Sequence, residues 1–216
     1  MKKTILFDLD GTLIDSTPAI LDGFGAAFLA HGEPAPKPEV VKALVGHPLD
    51  VMFAGLGAPT HLVPDYIAAY KARYEQIFLE QTSLLEGAAG ALALASEVAD
   101  VGVVTTKTSK FSVILLEYLG VMKFIKTVIG RDDVVNPKPD PEPINKALER
   151  LGNTSAQDKA NAFMIGDTTM DLEAAKRAGI AGIGLVCGYG NEADLRGHSN
   201  LIFKNAFEAV KFIAGR

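Results

Sequence analysis

The sequence predicts an α/β fold: a doubly wound parallel sheet with a Rossmann-like core and a small helical cap domain inserted after the first strand. Three observations carry this reading. Five short runs, residues 4–9, 101–105, 127–130, 161–165 and 181–186, are almost continuously apolar, and each stops at a polar or glycine cluster. That is the pattern of strands buried on both faces. From the second run onward helical patterns lie between them, as in a sheet joined by crossovers. Between the first and second runs, residues from about 15 to 83 hold several helical patterns and no convincing strand. A crossover needs far less chain. The predicted division is therefore a core of residues 1–14 and 84–216 with a helical cap of 15–83.

The later helices carry their own start signals. Residues 109–119 open on Ser109 as a capping residue and place Phe111, Ile114, Leu115 and Tyr118 on one face. Asp140, Pro141 and Glu142 read as an N-cap, a first-turn proline and an acid suited to the helix dipole.

Composition excludes several classes of function. With 48% apolar and 22% charged residues in 216, the chain is a globular protein with a real core, neither fibre nor disordered linker. A net charge of −5 argues against a nucleic-acid backbone or an anionic membrane surface as partner. Cys187 is the one cysteine, so an internal disulfide and a cysteine-based metal site are both excluded. It reads as a small buried hydrophobe in a reducing compartment. Met1, Lys2 and Lys3 resemble the start of a signal peptide, but the apolar stretch of residues 4–7 ends at Asp8, short of the roughly 7–15 residues such a signal needs. The expectation is a cytoplasmic protein, monomer or homodimer.

Chemistry is concentrated where strands end, the edge at which open parallel sheets bind ligands. The first run delivers Asp8, Leu9, Asp10, Gly11 and Thr12. On an extended chain Asp8 and Asp10 face the same side, and such a carboxylate pair repels itself unless a cation or proton intervenes. The fourth run ends in Gly166, Asp167, Thr168, Thr169, Met170 and Asp171, which puts Asp171 in the first turn of the next helix. Oxygen ligands without histidine or cysteine spacing suit a hard cation such as Mg²⁺. Lys138 stands between Pro137 and Pro139 in a stretch that forbids helix and stiffens the loop presenting its ammonium. Thr105, Thr106 and Lys107 follow the second run with two hydroxyls and another cation.

Asp8-Leu9-Asp10-Gly11-Thr12, then Thr105, Lys138, and Gly166-Asp167 with Asp171, resemble the four ordered motifs of the haloacid dehalogenase-like hydrolases. Residues 10–16, Gly46-His47-Pro48-Leu49 and Gly166-Asp167-Thr168 are similar to the phosphoglycolate phosphatase-like group. The resemblance implies a Mg²⁺-dependent phosphatase acting on a small phosphorylated metabolite. It makes Asp8 nucleophile and metal ligand, Asp10 general acid and base with its carbonyl on the metal, Asp167 a carboxylate ligand and Asp171 a residue behind the ligands. Thr105 and Lys138 would hold the phosphoryl group, and Thr106 stands where many relatives have Asn. Acting first as an acid, Asp10 would begin protonated, which burial and negative neighbours favour.

Leaving-group selection is expected in the cap. Lys42, His47, Lys71 and Arg73 are its candidates for an anionic group, and His47, between Gly46 and Pro48, is the first choice. Pyrophosphate hydrolysis and a sugar phosphomutase reaction are the alternatives within the family. A phospho-acceptor domain that signals without turnover is the alternative outside it.

Overall fold

A computed structural model describes residues 3–216; Met1 and Lys2, where the signal-like start falls, lie outside them. The chain divides into two compact units, one of residues up to Ile14 with Leu84–Arg216 and the other Asp15–Ser83. Strand β1 (Lys3–Phe7) enters the first unit, and β2 (Ile14–Asp15) leaves it. The second unit then runs through four helices, α1 (Thr17–Ala30), α2 (Pro38–Lys42), α3 (Leu49–Gly55) and α4 (Val63–Ile77). Strand β3 (Ser83–Leu84) pairs with β2 as the chain returns.

The rest alternates helix and strand: α5 (Ala88–Val98), β4 (Ala99–Val104), α6 (Ser109–Tyr118), β5 (Thr127–Ile129), α7 (Glu142–Leu151), α8 (Ala156–Ala160) and β6 (Ala162–Gly166). Then come α9 (Thr169–Ala178), β7 (Ala181–Leu185), α10 (Glu192–His198), β8 (Ile202–Phe203) and α11 (Ala206–Ala214). Six strands form one sheet in the order β5-β4-β1-β6-β7-β8, and every pair in it is parallel.

β1 lies inside this sheet, with Leu6 level with Gly102 on one side and Met164 on the other. This position explains why Ile5, Leu6 and Phe7 are all apolar and fully buried. Ile144, Ala147 and Leu148 of α7 join Ala174, Ala175 and Ala178 of α9 over Leu6, Val104, Ile129 and Met164 in one apolar cluster. Small alanines on α9 let that helix approach the strands closely.

The helical unit has a different core, built of rings. Phe24 sits 4.6 Å from Phe53 and 4.9 Å from Tyr70 between ring centroids, and Phe28 meets Tyr66 edge-on at 5.1 Å. Gly23 of α1 is where the Tyr70 ring lies, since a Cβ there would come within 2.7 Å of it.

Several sequence expectations shift against these elements. The first strand ends at Phe7, so Asp8 and Asp10 do not share a strand face; Asp10 instead forms an isolated bridge with Ile14 around Gly11. Ser109 is the first helical residue and Thr108 holds the N-cap position of α6. Likewise Pro141, and not Asp140, stands at the cap of α7, although the Asp140 carboxylate still accepts from Glu142 N at 2.9 Å. Strands β2, β3 and β8 went unread because two residues are too few to show a period.

Candidate active site

The strand ends deliver their polar residues to the carboxyl edge of the sheet. Asp8 follows β1 and donates its backbone N–H to Ile165 O at 2.8 Å, which fixes it beside the end of β6. Asp167 follows β6, and Asp171 lies in the first turn of α9. One carboxylate oxygen from each of Asp8, Asp167 and Asp171 lies within 4.8 Å of the others, and all three residues are buried.

One ammonium holds much of this charge. Lys138 Nζ lies 2.8 Å from Asp8 Oδ1, 2.6 Å from Asp171 Oδ1 and 3.0 Å from Val104 O, so its three protons all have acceptors. Only 4% of Lys138 is exposed. Burial alone would discharge it, but Asp171 and then Asp8 outweigh that and hold its pKa above the ordinary lysine value.

The other oxygens are also spoken for. Asp171 Oδ2 accepts from Thr168 N at 3.1 Å and Thr168 Oγ1 at 2.8 Å, the reciprocal cap that opens α9. Asp167 accepts from Thr12 Oγ1 at 2.8 Å on one oxygen and from Tyr189 N at 2.8 Å on the other. Close backbone makes this packing: a Cβ on Gly11 or Gly188 would fall 2.3 or 2.1 Å from Asp167 Oδ2, and one on Gly190 2.0 Å from Asp167 O. Gly11 also needs its freedom for a φ of +82°.

Charge in the pocket does not balance. Three carboxylates face one buried ammonium, and the excess shows in the acidities of Asp8 and Asp167. Burial, with Asp171 and Asp167 adding to it, raises Asp8 well above the usual carboxylate range against the pull of Lys138. Asp167 is pushed up to about 7, first by burial and then by Asp171. A divalent cation would neutralise this excess, and a donor set made only of oxygen fits a hard one. Asp8 and Asp167 are the side chains that would hold it.

Asp10 lies apart from the three clustered carboxylates, with Oδ2 3.3 Å from Lys107 Nζ. Its side chain is 13% exposed, and this ion pair, which the motif spacing does not reveal, means that Asp10 starts paired with an ammonium. Thr105 is buried and its hydroxyl accepts from Lys107 N at 3.1 Å, while Thr106 is half-buried beside it. Cys187 is half-buried and not a core residue; its thiol faces Gly11 O at 3.6 Å and is pushed up to about 11 by burial and by Asp167.

Within the helical unit His47 is half-buried in the turn between α2 and α3, and Lys42 and Lys71 are exposed. Arg73 is committed elsewhere. Its guanidinium grips both oxygens of Asp22 at 2.7 and 2.8 Å, which removes it as a candidate for an anionic substrate group. Sequence reading also missed Tyr189 and Gly188, whose loop after β7 carries no recognisable spacing.

Acids and a proline-flanked lysine thus stand together at the carboxyl edge of a parallel sheet. The profile of the haloacid dehalogenase-like hydrolases matches residues 5–185. A probable phosphatase of Dickeya dadantii is 32% identical over 217 residues, covering 97% of this chain and 92% of that protein. A phosphoglycolate phosphatase of Escherichia coli is 33% identical over 213 residues, covering 87% and 82%. A haloacid dehalogenase-like hydrolase from Streptococcus pneumoniae superposes with a TM-score of 0.87 at 25% identity, covering 98% of each chain. The chain belongs to the haloacid dehalogenase-like hydrolases, in their phosphoglycolate phosphatase-like group, and is an enzyme of the phosphatase kind. Among the described residues no helix is long and apolar enough to cross a membrane.

Proposed function

We propose that the enzyme is a Mg²⁺-dependent phosphatase of the cytoplasm that hydrolyses a small phosphate monoester of the phosphoglycolate type through an aspartyl-phosphate. The observation that carries this is the buried Asp8–Lys138–Asp171 arrangement beside Asp167, too acidic to bind a phosphate dianion unaided. Asp8, Asp167 and the Asp10 carbonyl would hold Mg²⁺, which would supply charge neutralisation for the phosphoryl group.

The chain's own residues do the rest. Asp8 attacks phosphorus in line, and its new O–P bond forms as the ester P–O bond breaks. Asp10 gives its proton to the departing alcohol oxygen; because Asp10 is paired with Lys107, that pair must open for the carboxyl to take up and deliver a proton. Asp10 then takes a proton from water, whose oxygen bonds to phosphorus while the bond to Asp8 breaks. Orthophosphate leaves and Asp8 is a carboxylate again. Lys138 keeps the attacking carboxylate oriented, and Thr105 and Thr106 hold the phosphoryl oxygens with it. Asp171 acts through Lys138, which it holds at 2.6 Å.

Selection among leaving groups is assigned to the helical unit as a cap, with His47 as its first residue. The test is release of phosphate from p-nitrophenyl phosphate and a panel of small monoesters, with and without Mg²⁺. Many turnovers that stop on chelation and a preference for phosphoglycolate support the reading. A single stoichiometric phosphorylation would replace it with a phospho-acceptor, and preference for hexose phosphates would remove the substrate class.

A further inference from the structure

Thr108 stands at the cap of α6, yet its side chain makes no capping bond. The cap comes from another part of the chain. Asp132, in the turn after β5, accepts from Ser109 N and from Ser109 Oγ on the same Oδ1, each at 2.7 Å. Next to it, Arg131 N donates to Lys107 O at 2.9 Å, and Thr105 N donates to Ile129 O at 2.9 Å. Between them Gly130 runs so close that a Cβ would fall 2.2 Å from Ser109 N and 2.7 Å from Lys107 O. Residues 105–109 are thus fastened to residues 129–132 at the start, the middle and the end.

The same connection carries Lys138 a few residues on, and it is braced there as well. Asp133 accepts from Gly130 N at 2.9 Å and from Arg150 at 2.7 Å. Glu142 accepts from Val135 N at 2.9 Å, Asn136 N at 2.8 Å and Asn136 Nδ2 at 3.0 Å. Between its hold on Ser109 and the ammonium of Lys138, this stretch is thus held at Asp133, Val135 and Asn136.

We propose that Asp132 is a positioning residue for the phosphoryl pocket: by capping α6 from the β5–α7 connection, it locks the loop of Thr105 and Thr106 to the loop of Lys138. The two groups that grip phosphate come from different crossovers, and Asp132 adds a side-chain link at the start of α6 to the backbone bonds that already join them. Loss of a cap frees the first-turn amides of a helix and lets that turn fray. The inference rests on the reading that Thr105, Thr106 and Lys138 hold the phosphoryl group.

The test measures the affinity of inorganic phosphate by calorimetry in Mg²⁺ buffer, together with kcat and KM for p-nitrophenyl phosphate. Asp132→Ala is expected to weaken phosphate and raise KM by up to about tenfold, the factor reached when the full worth of the cap falls on the pocket, with a smaller change in kcat. Asp132→Asn keeps the accepting oxygen and is expected to stay within about threefold of wild type. Ser109→Ala, which removes one of the two donors, is expected to fall between them and keeps the test open if Asp132→Ala does not fold. Asp158→Ala breaks a comparable cap on α8, before β6 and away from the site, and is expected to lower thermal stability while leaving phosphate affinity and KM unchanged. Phosphate affinity in Asp132→Ala within twofold of wild type, or no phosphate binding by wild type, would overturn the inference. Wild type that binds phosphate without turning over would sink the phosphatase reading alone, since the binding ratios need no turnover.

Discussion

The two ends of β1 and β4 each carry a lysine–aspartate cluster, and they differ in how their charges add up. At the amino edge Asp100 meets Lys126 at 2.5 Å and Asn153 at 3.2 Å, and Asn153 also donates to Thr4 at 2.9 Å. This carboxylate meets an ammonium and an amide, and Lys126 is 55% exposed to water. The carboxyl edge instead buries three carboxylates around Lys138, whose side chain is 3% exposed. The amino-edge cluster, matched among the described residues, is open to water; the carboxyl-edge cluster is unmatched, and in the proposed function its excess charge is what a cation and a phosphate would meet.

The comparison is broken most severely by Asp8→Asn. Loss of the proposed nucleophile is expected to lower turnover by about 10³-fold or more, measured as phosphate released in Mg²⁺. Next in size, Lys138→Met is expected to lower kcat/KM by about 10²–10³-fold, because the three carboxylates then face the incoming phosphate with no ammonium between them. The matched cluster should behave in the opposite way. Asp100→Asn is expected to cost about 1 kcal/mol or less in urea unfolding, given the exposure of Lys126, and to leave kcat/KM within about twofold. Loss of activity in Asp100→Asn, with stability intact, would erase the distinction between the two edges.

The smallest effect belongs to a second matched pair, in the helical unit. The hydrogen bond from Arg73 lowers the Asp22 pKa, against slight burial. A depressed folded-state value means the pair stabilises above the unfolded carboxylate pKa, about 3.9, and the benefit disappears as pH falls through the folded value. The melting temperature of Asp22→Asn should therefore sit below wild type at about pH 6 and converge with it in acid.

Much of this arrangement is legible in the sequence because parallel sheets bring strand ends to one edge. Once residues 4–9 and 161–165 read as buried parallel strands, Asp8 and Asp167 have to reach one edge of the sheet, and the prolines around Lys138 mark a loop and not a helix; that β1 and β6 are neighbours is added by the structure. What stays hidden depends on packing between distant segments. Nothing local to Lys107 announces Asp10, and nothing near Ser109 announces Asp132, 23 residues away. The reading of Ser109 as a cap failed for the same reason: the side chain is a donor to a carboxylate from another crossover. Arg73 is exposed enough to suggest a ligand group, and only its geometry with Asp22 shows that both faces of its fork are used.

The glycines pressed against Asp167 set a limit on how this enzyme can be remade. Two backbone segments, at Gly11 and Gly188, meet around one carboxylate with no slack for a methyl group, and Gly190 presses on the backbone carbonyl of the same residue. Lengthening that acid to Glu would need both segments to retreat together, so this substitution should yield misfolded protein. A mutational library spends its diversity best by leaving those positions alone.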